Sequence, residues 1–170
     1  MTHFRPASVA DLPVVLGLLD GAVEWLVVRG RTAQWGDQPW SARPASAPRF
    51  TAMLSGRGGW VAESEGEPVG VLVVGEEPPA YVPAVDEPET YVHLLVTSRQ
   101  HKGEGIGTAL LDHARTLARA AGSTLLRVDC FAGADGKLVR YYVGAGFTPT
   151  EKFDVDGWPG QILAERLNER

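Results

Sequence analysis

Apolar residues recur at three- and four-residue steps early in the chain. Leu12, Val15, Leu16, Leu19, Val23 and Leu26 fall on one face of a helix. Ser8 stands three residues before Asp11, the spacing of a capping box, and Gly30 is a stop signal. The spacing therefore predicts a helix running to about Arg29, preceded by a short strand at residues 4–6. Residues 31–48 lose the period and are rich in Pro, Gly, Ser and Trp, which reads as a loop followed by a short helix after Pro48.

Beyond that loop the pattern switches to β-rich runs. Residues 60–63 and 69–74 flank the turn segment Glu65-Gly66-Glu67-Pro68 and predict a hairpin. Residues 75–88 hold Pro78, Pro79, Pro83 and Pro88 among acidic side chains and read as an exposed loop. A strand follows at 91–96. A long helix follows at 105–121, with Leu110, Leu111, Ala114, Leu117 and Ala118 on one side. Then come a strand at 125–130, a short helix at 137–143 ended by Gly144 and Gly146, and two final strands from Phe147 and from Gln161. Strands alternating with helices predict a mixed sheet with helices packed on it, an α/β or α+β domain. The pattern does not say which strands are parallel.

Length and composition narrow the class. A chain of 170 residues predicts a single domain over 1–170, and 44% hydrophobic residues suffice to bury a core. The net charge is −5 and no dense Lys/Arg run occurs, so a nucleic-acid partner is not expected. A small anionic ligand needs only a local set of donors and stays open. The single cysteine, Cys130, cannot close an internal disulfide, which fits a reducing compartment. No apolar run approaches a membrane span and the first residues lack a signal-like apolar stretch. The expected place is the cytoplasm, with no membrane association.

The most informative chemistry lies at Val96-Thr97-Ser98-Arg99-Gln100-His101-Lys102-Gly103-Glu104-Gly105-Ile106-Gly107-Thr108. A strand ends, three glycines alternate and a long helix begins. The first N–H groups of a helix have no partner one turn back, and the helix dipole adds positive charge there. Such a turn suits a pyrophosphate, with glycine letting the ligand approach the backbone and Lys102 and Arg99 adding charge. The spacing is neither a P-loop nor a Gly-x-Gly-x-x-Gly dinucleotide turn. The plain alternative is an ordinary strand-to-helix turn.

The segment Gln100-His101-Lys102-Gly103-Glu104-Gly105, continued by Ile106-Gly107-Thr108-Ala109-Leu110-Leu111, resembles the acyl-CoA signature of the GNAT superfamily of N-acetyltransferases. The resemblance implies a mostly antiparallel twisted sheet of about six to seven strands flanked by about four helices. It also implies acetyl-CoA as co-substrate. Leu94, Leu95 and Val96 would contact it along the strand, and Lys102, Gly103, Glu104, Gly105, Ile106, Gly107 and Thr108 would hold its phosphates. The segment from Leu138 through Tyr142 to Gly146-Phe147 resembles the second motif of that family, with Tyr142 as the matching residue. A phenol beside a departing thiolate can donate its proton, so Tyr142 is the candidate general acid; the alternative is a tyrosine packed on the sheet. Asp135 stands about where the family often has Asn.

An attacking amine must lose a proton, and Glu89, His93 and Asp129 are the candidate bases. Glu89 and His93 lie four apart, on one face of an extended strand. Asp129 ends the following strand and resembles an acidic residue used by other members. Each has a structural alternative: a solvated strand end, a satisfied sheet histidine, a loop cap. Cys130 reads as a packed thiol, not a nucleophile. Trp25, Trp35 and Trp40 would either shape an acceptor pocket or cover the end of the core, and Asp37 would attract a cationic amine.

The implied reaction is direct transfer of acetyl to a primary amine of a small molecule or protein in a ternary complex. A CoA-binding module without activity and a transferase for longer acyl groups are the rivals. No metal is expected, and the resemblance leaves a homodimer open.

Overall fold

The computed structural model describes residues 2–133 and 135–167. In chain order the elements are β1 (Thr2–Pro6), α1 (Leu12–Val28), α2 (Ser46–Leu54), β2 (Gly59–Ser64), β3 (Glu67–Gly75), β4 (Glu89–Thr97), α3 (Ile106–Ala120), β5 (Leu125–Phe131), α4 (Lys137–Gly144), β6 (Thr148–Val155) and β7 (Trp158–Arg166). The strands form one seven-stranded sheet in the order β1-β2-β3-β4-β5-β7-β6. β4 and β5 run parallel, in register from Glu89 opposite Leu125 to Val92 opposite Val128, whereas β1–β2, β2–β3, β5–β7 and β6–β7 are antiparallel. No helix among the described residues is long and apolar enough to cross a membrane. Contacts divide the chain into two compact units, 1–73 with 94–111, and 74–93 with 112–170.

In the first unit, Ser8 and Asp11 form the full capping box, with Ser8 N–H donating to Asp11 at 2.9 Å. The box opens a 3-10 turn, and α1 starts one step later than its spacing suggests, at Leu12. Arg5 grips the Asp11 carboxylate through two bonds of 2.8 and 3.0 Å, which holds that carboxyl below its usual range. Gly30 (φ 68°) ends α1: its N–H bonds Val27 and the Arg31 N–H reaches back to Leu26, a Schellman closure. Val15, Leu19 and Ala22 of α1 bury against Phe50 and Leu54 of α2 and Val61, Val71 and Val96 of the strands. Helix α2 begins at Ser46, two residues before Pro48, because proline is tolerated in a first turn, where its missing N–H would have had no partner anyway. Glu65 (φ 53°) and Gly66 (φ 80°) alone make the β2–β3 turn, with Ser64 opposite Glu67. Pro68 belongs to β3, beside a bulge, where no ladder donor is needed.

Gly70 sets the position of the glycine turn. A Cβ there would meet Leu110 Cδ1 at 2.8 Å and Ile106 Cγ2 at 3.2 Å. Its absence lets the first turn of α3 lie directly on β3, and Ser98 N–H is tied to the Val69 carbonyl at 2.8 Å.

In the second unit, the β3–β4 connection departs from a simple exposed loop. Val82 is buried against Tyr91 and Ile162, which pins the proline-rich segment onto the sheet. Gly160 has an analogous role to Gly70: a Cβ there would meet the far end of the Phe153 ring at 2.1 Å, so the ring occupies the space over the Gly160 backbone.

Candidate functional site

The glycine turn has the backbone that a ligand site requires. Gly103 (φ 86°) and Gly105 (φ 76°) lie in the left-handed region, and a Cβ on either would meet nothing within 4 Å. Packing therefore makes no demand for glycine here; the backbone angle and open space do. Lys102, Gly103, Glu104, Gly105 and Thr108 are exposed, and Ile106 is buried as the anchor. The intrahelical bond from Ala109 N–H to the Gly105 carbonyl (3.0 Å) leaves the N–H groups of Ile106, Gly107 and Thr108 at the helix mouth. Leu94 and Val96 point into the core of this unit and Leu95 is half-buried, so the strand offers a ligand its backbone more than those side chains.

The tryptophans of the first unit divide into two groups. Trp35 and Trp40 meet edge-to-face at 6.0 Å, Trp40 meets Phe50 at 5.7 Å, and both pack against the α1–α2 core. Arg43 lies over Trp40 at 4.0 Å. Trp25 gathers Arg29, Arg99 and Lys102 at 3.9, 4.6 and 4.9 Å from its ring centre, tying the end of α1 to the residues before the glycine turn. The indoles thus hold the protein's own cations. Asp37 is exposed.

In the second unit, the pleat of β5 sends alternate side chains to opposite faces. Arg127, Asp129 and Phe131 share one face with Glu89, Tyr91 and His93 of β4. Cys130 takes the other face, where Tyr142 of α4 is buried.

Glu89 meets a physical obstacle as a base. Its carboxylate receives two bonds from the Arg127 guanidinium, at 2.6 and 2.9 Å, and both side chains are almost fully buried. Taking up a proton there would leave Arg127 without its counter-charge. His93 donates from Nε2 to the Glu77 carbonyl at 2.8 Å, leaving Nδ1 as the nitrogen able to accept. Gly75 makes room for that ring, since a Cβ would stand 3.0 Å from Nε2. Asp129 accepts from the Tyr91 hydroxyl at 2.5 Å and the Tyr81 hydroxyl at 3.3 Å. Burial and the Asp129 charge raise the Tyr91 pKa far above an ordinary phenol.

Tyr142 is 6% exposed, and its ring meets Phe147 edge-to-face at 5.8 Å and Tyr141 at 5.2 Å. Burial raises its pKa, with Cys130, Tyr141 and Asp129 adding to the effect, so the phenol keeps its proton throughout the neutral range. Tyr141 is 43% exposed. Burial and Asp129 push the Cys130 thiol up to about 12, which removes the thiolate a nucleophile would need. Asp135 accepts from the Lys137 N–H at 3.1 Å and so opens α4.

Sequence reasoning missed Arg127, Tyr91 and Tyr81. The Glu89–Arg127 pair depends on the parallel register of β4 and β5, which no local pattern specifies. The signal for Tyr81 was present as an aromatic residue inside a proline-rich loop.

The Acetyltransferase (GNAT) family profile matches residues 23–147. Comparison with curated proteins finds no match. A GNAT-family acetyltransferase from Listeria monocytogenes has the same fold at TM-score 0.76 and 19% identity, covering 98% of this chain and 95% of its own. The Salmonella typhimurium protein yncA, solved with its cofactor acetyl-CoA, aligns at TM-score 0.67 and 19% identity over 99% of this chain and 95% of its own. The PaiA N-acetyltransferase of Thermoplasma acidophilum, in complex with coenzyme A, aligns at TM-score 0.72 and 16% identity over 98% of this chain and 99% of its own. The profile spans well over half of the 170 residues, and the chain therefore belongs to the Acetyltransferase (GNAT) family and is an acyltransferase.

Proposed function

We propose that the protein transfers an acetyl group from acetyl-CoA to a primary amine by direct attack within a ternary complex. The observation that carries this reading is the glycine turn. Two glycines sit at positive φ with open space beside them, at the mouth of α3. Backbone N–H groups and helix dipole there suit the pyrophosphate of CoA, with Lys102 as the added charge. The backbone of Leu94, Leu95 and Val96 is assigned the acyl-pantetheine arm, and its N–H groups the charge that develops on the carbonyl oxygen.

Tyr142 is assigned the proton for the departing thiolate. No hydrogen bond from its hydroxyl occurs among the described residues, and its raised pKa keeps the proton available. Of the three candidate bases, Glu89 is assigned to holding Arg127. The ammonium proton goes to Asp129, with His93 Nδ1 as the second acceptor on the same face. The amine nitrogen then attacks the thioester carbonyl, the C–S bond breaks, and Tyr142 protonates the sulfur. The inert Cys130 thiol supports direct transfer over an acyl-cysteine intermediate.

Calorimetry on Gly105→Val tests the turn. The wild type should bind acetyl-CoA, and the variant should bind it at least tenfold more weakly, because a branched side chain closes the approach of the phosphates. At φ 76° the substitution also costs roughly 1–2 kcal/mol of stability, so the comparison is made on folded protein. Equal affinity in the folded variant would mean an ordinary helix start.

A further inference from the structure

We infer that Arg115, braced by Glu165, is a positioning residue for Tyr142: it locks the end of α4 and so sets where the phenol stands. The inference rests on the acid role assigned to Tyr142 above and adds a residue on which that role depends.

No hydrogen bond holds the Tyr142 hydroxyl among the described residues, so ring packing and the backbone beneath it decide its place. That backbone closes as a Schellman motif. Phe147 N–H donates to the Tyr142 carbonyl at 3.0 Å, and Gly146 N–H donates to the Val143 carbonyl at 3.1 Å. Gly146, at φ 110°, makes the reversal. The motif brings the side chains at its two ends together. Here they are Tyr142 and Phe147, whose rings meet edge-to-face at 5.8 Å.

Arg115 reaches this closure from α3 and grips it from outside. Its Nη2 donates to the Ala145 carbonyl at 2.5 Å, and its guanidinium carbon stands 5.5 Å from the centre of the Phe147 ring. Nε donates to Glu165 of β7 at 2.6 Å, and Nη1 donates to Asp112 at 2.7 Å. The Arg115 and Glu165 side chains are largely buried, whereas Asp112 is exposed and adds little. Glu165 also lies over the reversal itself: a Cβ on Gly146 would stand 2.7 Å from its Oε1. A bare helix cap needs only one cationic donor, which a lysine could supply. The planar guanidinium does more, because it ties the carbonyl, the carboxylate and the ring into one geometry. Tyr142 sits three residues before the gripped carbonyl, with its ring against the gripped Phe147.

The test follows thiol release from acetyl-CoA with the fastest of a panel of primary amines. Arg115→Lys keeps the charge and loses the fork. Its kcat should fall about tenfold, less than the roughly 100-fold that a full ångström of misplacement can cost. The KM for acetyl-CoA should change less than about twofold. In a Tyr142→Phe background the same substitution should lower kcat less than about twofold, since residues acting through one group do not add. A purely structural role would lower both backgrounds alike. If Arg115→Lys folds poorly, Arg115→Met combined with Glu165→Leu leaves neither charge buried alone and should give the same two results. Unchanged kcat in the folded variant, or equal losses with and without the Tyr142 hydroxyl, overturns the inference alone. Full turnover in Tyr142→Phe overturns the acid role and the inference with it.

Discussion

Replacing Tyr142 by Phe should lower kcat by roughly 10²–10⁴-fold, the range for a positioned acid–base group. The substitution removes one oxygen and keeps the ring that packs on Phe147. The Michaelis constant for acetyl-CoA should change much less, because the lost interaction forms as charge develops on sulfur. Tyr141→Phe is the control: its ring is half exposed, and its variant should behave like wild type. The pH profile adds a second check. Burial raises the Tyr142 pKa, so its protonated form persists through the region where an ordinary phenol, near pKa 10, begins to ionise. Tyr142 therefore contributes no loss of kcat between pH 7 and about 10. Full turnover in Tyr142→Phe, measured with chemistry rate-limiting, would assign the proton to water or another side chain.

Replacing Glu89 by Gln should destabilise the protein by about 3–5 kcal/mol. At about 2–4 °C per kcal/mol for a domain of this size, that is a fall of roughly 6–20 °C in Tm. The cost comes from the guanidinium left behind. Arg127 is buried; Glu89 gives its guanidinium two charged bonds, the Pro83 carbonyl gives one neutral bond, and the Tyr91 ring lies 5.6 Å away. Replacing both residues, as Glu89→Leu with Arg127→Met, should be far milder than the single change, since no unpaired charge remains. Activity per folded molecule should survive Glu89→Gln within about tenfold, below the loss expected for a general base. A stable Glu89→Gln protein with kcat down by 10²-fold or more would return Glu89 to the base role.

Local rules made much of the fold legible. The Ser8–Asp11 box, the Gly30 stop, the Glu65-Gly66 turn and the α3 period each depend on residues within a few positions of one another, and each appears. The glycine turn was legible for the same reason: a φ requirement marks itself by residue type. Where the reading slipped, a tertiary partner intervened. The 75–88 loop looked solvent-exposed until Val82 found Tyr91 and Ile162. Glu89 looked like a strand-end carboxylate because its partner, Arg127, is brought alongside only by the β4–β5 pairing. The Phe153–Gly160 and Tyr81–Phe153 contacts likewise depend on sheet register and loop path. Trp25, Trp35 and Trp40 cluster in sequence, but only the latter two meet each other.

The most direct test of the central claim is amine-dependent release of CoA thiol, with mass spectrometry of the product. Purified protein and acetyl-CoA, offered each of a panel of primary amines, should release thiol with at least one of them, in step with an amine that gains one acetyl group. Release should be slow without amine, and no acetyl group should be found on Cys130. Thiol release at the same rate with and without every amine offered, or none despite tight acetyl-CoA binding, would contradict acetyl transfer to an amine.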